Sequence, residues 1–99
     1  MDRAFLGTEL KFIVEITASG FSMEHDDFNI LLKRGNKQRL FEKSDLVYSD
    51  GDYYLCCDTA EFGIGTIQAV ITAYVPDLDF PDGLRTEVYK LDLIRSESV

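Results

Sequence analysis

The sequence contains no tryptophan, only two prolines, two cysteines and a single histidine among its 99 residues. Its cysteines, Cys56 and Cys57, are adjacent. Neighbouring residues on a strand point to opposite faces, so a bridge between them is geometrically awkward. The pair reads as one small core residue and one surface residue, which suits a reducing compartment. No run approaches the roughly 18 apolar residues of a membrane span, and Met1–Gly7 lacks the apolar stretch of a secretory signal. The expectation is therefore a soluble chain made in the cytoplasm, without membrane insertion. Positive charge is also scarce: 10 basic against 18 acidic side chains leave a net charge of −8. Nucleic acid and anionic membranes repel such a chain overall, because binding to either depends on lysines and arginines.

What is present is ordinary globular material: 45% hydrophobic and 28% charged residues, with seven phenylalanines and five tyrosines to build a core. The length allows one domain, spanning 1–99 with an ordered core over about 7–94. The dominant period is two. Leu10, Phe12, Val14, Ile16 and Ala18 alternate with Lys11, Ile13, Glu15 and Thr17, the pattern of a half-buried strand. Further extended segments cover Phe28–Arg34, Lys37–Phe41, Leu46–Tyr48, Tyr53–Cys57, Thr66–Val75 and Arg85–Ile94. Gly35-Asn36 reads as a tight hairpin with glycine at positive φ, and Thr59–Phe62 as one helical turn. The first few residues and Ser96–Val99 read as linkers. Start and tail fit a complete small chain, or one cut for expression. Short strands with turns every 8–12 residues or so predict an antiparallel β-sandwich of about seven strands. Its core is expected from Phe12, Val14, Ile16, Phe28, Ile30, Leu32, Leu55, Ala69, Ile71, Ala73, Val88, Leu91 and Leu93. Val88 and Leu91 can share a face only across a bulge.

Between Asp58 and Val75 the chain resembles the corner of immunoglobulin-like domains. Asp58-Thr59 opens it, Gly63-Ile64-Gly65 turns it, and Ile67, Ala69, Ile71 and Ala73 then alternate along a strand. The inter-sheet disulfide, core tryptophan and tyrosine corner of antibody domains are missing. Over about residues 7–94 the pattern is similar to the small N-terminal immunoglobulin-like domains of phage upper baseplate and tail-fibre proteins. That resemblance implies a structural role in an attachment device, association with a virion, and no catalytic residues.

Candidate sites are few. Asp77, Asp79 and Asp82, followed by Gly83, place several carboxylates on one flexible turn, as a calcium ion requires. An ordinary solvated loop is the alternative, and no other cofactor is expected. Glu24, His25, Asp26 and Asp27 form a second acidic cluster around the lone imidazole. The basic group Lys33, Arg34, Lys37, Arg39 and Lys43 flanks the Gly35-Asn36 hairpin. An up-and-down tracing puts that hairpin at the same end as the Asp77–Asp82 loop, with Glu24, Asp26 and Asp27 at the far end. Complementary ends of this kind steer association. Tyr53, Tyr54 and Tyr74 are candidate interface anchors; the alternative is tyrosines that cover the sandwich edge with their hydroxyls in water. Phe80, in an otherwise polar loop, either tucks onto the core or docks into a partner. No nucleophile–base pattern is recognisable, so an enzyme is not expected. The reading is a non-catalytic structural or protein-binding module of a larger assembly, contacting a protein partner or copies of itself. The alternative is a small-ligand or calcium-binding module using the acidic loop.

Overall fold

Residues 2–99 are described by the computed structural model; Met1 lies outside them. Eight strands follow one another: β1 (Arg3–Phe5), β2 (Glu9–Val14), β3 (Phe28–Arg34), β4 (Lys37–Glu42), β5 (Val47–Ser49), β6 (Asp52–Asp58), β7 (Gly65–Pro76) and β8 (Leu84–Glu97). Short 3-10 turns at Lys43–Asp45 and Thr59–Glu61 interrupt them. The strands make a five-stranded sheet, β1-β8-β7-β3-β4, and a three-stranded sheet, β2-β6-β5. The chain is therefore all-β, as its period of two predicts.

Alternation decides what is buried. Val14 and Ile16 from the β2 segment, Leu55 and Cys57 from β6, Phe28, Ile30 and Leu32 from β3, and Ile67, Ala69, Ala73 and Val75 from β7 join one core cluster fed by both sheets. Phe28 sits at its centre, fully buried, with Phe21 and Tyr53 packed edge-on at 6.2 and 6.0 Å. Phe12, Ile71 and Leu93 pack against this cluster but are only partly buried. Phe41, Phe62 and Ile94 are also core residues, which the sequence reading did not include. Gly35 takes φ +57° at the hairpin, as the Gly-Asn pair predicts.

Two expectations require correction in β8. Ile67 pairs with Ile94 but Gln68 pairs with Asp92, so Leu93 is an extra residue on β8. This bulge reverses the alternation. Val88, paired with Thr72, falls on the outer face and is 61% exposed; Leu91, paired with inward-facing Ala69, sits at the rim and is 42% exposed. Neither is core. The termini are likewise not linkers: β1 pairs in parallel with β8, Arg3 opposite Arg95 and Phe5 opposite Glu97. Exposed sequence composition does not reveal that pairing, because it rests on backbone hydrogen bonds.

The register also fixes the two ends of the molecule, whose principal extents are 50 × 30 × 21 Å. Lys33 stands opposite Gln68 and Phe28 opposite Ala73. The Gly35-Asn36 hairpin is therefore at the Gly65 end of β7, and the Pro76–Gly83 loop at the other. The hairpin and the Asp77–Asp82 loop occupy opposite ends, not the same end. The acidic loop instead lies beside the segment Ser19–Asp27, since Tyr74 donates its N–H to the Asp27 carbonyl at 3.0 Å. The tracing failed because it counted a reversal at Lys43–Asp45, whereas β4 and β5 both run toward the Phe28 end. Glu42 pairs with Asn29, and Ser49 pairs with Asp52 next to Tyr53, which packs on Phe28.

Candidate protein-binding surfaces

The basic group does not form one patch. Arg39 extends inward beside Phe41, its guanidinium 4.3 Å from that ring and bonded to both Glu61 carboxylate oxygens at 2.9 and 3.0 Å. Arg34 donates through Nε to the Phe62 carbonyl. Lys43 lies at the opposite end from the hairpin, where its ammonium bonds the carbonyls of Glu24 and Asp26 at 2.9 and 3.0 Å. Of the group, Lys33 and Lys37 alone make no ion pair or side-chain hydrogen bond among the described residues.

The acidic loop is organised by an arginine. The Asp77 carboxylate accepts the Asp79 N–H at 3.0 Å and a guanidinium N–H of Arg85. These bonds hold its pKa below the usual carboxylate range, the backbone donor contributing most and Arg85 next. Arg85 also reaches Glu87 at 3.3 Å and the Ser19 carbonyl at 3.4 Å. Among the described residues no three carboxylate, histidine or cysteine side chains converge as a metal site. Phe80 does not join the core: it is 44% exposed, and Leu78 beside it is 96% exposed.

His25 is exposed, with Nε2 3.8 Å from Glu24, while the Asp26 carboxylate accepts the Ser22 N–H at 2.8 Å. The second cluster thus separates into a surface pair and a loop-closing aspartate. Cys56 is exposed and Cys57 buried, as neighbouring strand positions require. Burial pushes the Cys57 thiol up to about 11, with Glu61 adding to the effect. Tyr53 and Tyr54 are both half-buried; Tyr54 lies under the Lys11 ammonium at 4.5 Å. Tyr74 is half-buried on the outer face beside Asn29.

One apolar feature on the surface was not singled out by the sequence reading. Leu31 pairs with Leu40 on one side and Val70 on the other, so three apolar side chains form a row across β4, β3 and β7. Val88 on β8 stands diagonally next in the array, opposite Thr72 and two residues from Val70's partner Lys90. Leu40 is 50% exposed. These residues lie on the face away from the core, because their strand neighbours Ile30, Phe41 and Ala69 are the buried ones. The signal was present as apolar residues out of phase with the alternation, visible in the uninterrupted Ile30-Leu31-Leu32.

No family model, curated protein or solved structure matches this chain.

A second apolar feature is a cleft of about 210 Å³ between β2 and the β7–β8 pair, bordered by Phe12, Leu55, Ile71, Leu91 and Leu93. Its β8 rim is unpaired from Leu84 to Ile94, because β1 covers only Arg95–Glu97. No helix among the described residues is long and apolar enough to cross a membrane.

Proposed function

We propose that this chain is an immunoglobulin-like β-sandwich serving as a non-catalytic structural or protein-binding module of a larger assembly. The assembly is of the phage baseplate, tail or surface-attachment kind, and the chain is virion-associated within it. What supports the fold assignment is the strand order. A sheet of β1, β8, β7, β3 and β4 facing one of β2, β6 and β5 is the arrangement of a variable-type immunoglobulin domain without its second added edge strand.

The observation that carries the function is the outer row Leu40, Leu31 and Val70 with Val88. Contiguous apolar side chains on a flat sheet face mark a surface that another protein covers. Asn29, Thr72, Lys90 and Asp92 border the row, giving the polar rim such interfaces have. The calcium alternative draws no support from the loop, where Asp77 is already bonded to Arg85.

The test is coexpression with the products of neighbouring genes, followed by light scattering of the purified chain alone and in mixtures. A defined complex, lost on Leu40→Glu or Val88→Glu while the fold persists, is the expected result. A chain that stays monomeric and binds none of those products overturns the reading.

A further inference from the structure

The register that separates the hairpin from the acidic loop also sorts the charge. At the loop end stand Glu24, Asp26 and Asp27 beside Asp77, Asp79 and Asp82; the cations nearest them, Lys43 and Arg85, are already bonded there to main-chain carbonyls, Asp77 and Glu87. At the hairpin end stand the unpaired Lys33 and Lys37. Six carboxylates against two bonded cations make the loop end the acidic pole of an elongated molecule 50 Å long, in a chain whose net charge is −8. Fields are screened over about 10 Å at 0.1 M salt, so an approaching copy experiences only the pole in front of it.

Each pole also bears exposed apolar side chains. Leu78, at 96%, and Phe80, at 44%, project from the acidic loop. Ile64, at 50%, lies on the Gly63–Gly65 corner at the basic end. The loop holding Leu78 and Phe80 is closed on itself by bonds between Asp77 and Gly83 at 2.9 Å and between Gly83 and Phe80 at 2.9 Å. Its apolar tip is therefore presented at low entropic cost.

We propose that the chain associates head to tail, the Leu78–Phe80 loop with Asp79 and Asp82 of one copy seating against Lys33, Lys37 and Ile64 of the next. This rests on the protein-contact reading above and names its partner as a second copy. The contact joins unlike surfaces, so it propagates into rings or filaments rather than closing as a two-fold dimer. Its salt dependence has a distinctive sign. A like-charged chain meeting through neutral surfaces associates more as salt rises, whereas this contact weakens.

Sedimentation and light scattering at about 0.1 M and about 1 M salt test it. Species larger than a monomer at the lower salt, reverting to monomer at the higher, are expected. The paired substitutions Lys33→Gln with Lys37→Gln, and Asp79→Asn with Asp82→Asn, lie on exposed or half-exposed positions. Each pair is expected to weaken self-association by about tenfold or more. A one-to-one mixture of the two variants restores a dimer and stops there, because each brings one intact pole. A wild-type chain monomeric at low salt, variants that associate normally, or a mixture without dimer each overturns the contact. If Leu40→Glu or Val88→Glu disperses an oligomer that the pole variants leave intact, the head-to-tail contact fails while the module reading stands.

Discussion

Arg34 lies across Gly65 so closely that a Cβ there would stand 2.8 Å from the arginine Cδ. Gly65 also holds φ +130°, where side chains are strained. The second glycine of the corner is thus fixed twice, by its backbone and by the side chain that β3 sends over it. Gly65→Ala is expected to destabilise the fold by about 1–3 kcal/mol. Adding Arg34→Ala recovers the steric part alone, which a double-mutant cycle by urea denaturation measures.

Phe28 anchors the core between Phe21 and Tyr53. Phe28→Ala is expected to cost about 3–5 kcal/mol, from lost transfer energy plus the cavity left behind. Equilibrium unfolding followed by tyrosine fluorescence reads it, and a loss under 1 kcal/mol or so contradicts the central placement of this ring.

The two cysteines differ in access and acidity. Cys56 is expected to react with a thiol reagent in the native state and Cys57 only on unfolding. Because the folded state holds the Cys57 proton more tightly than the unfolded chain, its contribution to stability is complete below the ordinary thiol pKa. That contribution declines as pH rises through about 11. Thermal melts at alkaline pH check this, and Cys57→Ala removes this share of the decline.

Asp77 behaves in the opposite sense. Its pKa is depressed, first by the Asp79 N–H and then by Arg85. Its contribution is present at neutral pH and lost as pH falls through the depressed pKa. Asp77→Asn flattens the acid limb of stability. Since Arg85 already engages this carboxylate, calcium at about 1 mM is expected to leave the melting temperature unchanged; a clear rise revives the metal site at Asp77, Asp79 and Asp82.

Ser96 is fully buried where β8 passes β1, and its Oγ has no hydrogen-bond partner among the described residues. Removing a buried hydroxyl that is unsatisfied relieves a desolvation cost of about 1–3 kcal/mol. Ser96→Ala is expected to leave stability equal or raise it, as chemical denaturation reports.

Alternation at Leu10–Ile16 and Ile67–Ala73 was sufficient to predict an all-β chain and most of its core, since the period-two rule is local. The hairpin at Gly35 and the turn at Thr59 were legible for the same reason. Val88 was misplaced because one inserted residue, Leu93, resets the alternation of everything before it, and insertion leaves no compositional mark; Leu91 faces inward opposite Ala69 but lies at the rim of the sheet. The basic group was legible as residues but not as a surface, since Glu61, Phe62 and the Glu24 carbonyl that occupy Arg39, Arg34 and Lys43 are 19 to 28 residues away.

By itself the sequence determined the strand period, the acidic net charge and the separate environments of Cys56 and Cys57, all properties of composition or of adjacent residues. Tertiary structure alone decided that β1 and the tail are paired, that Leu31, Leu40 and Val70 align into an outer row, and that hairpin and acidic loop stand at opposite poles. Each of these depends on register between distant strands. Register is set by the collective burial of one face and by backbone hydrogen bonding, neither of which any single segment contains.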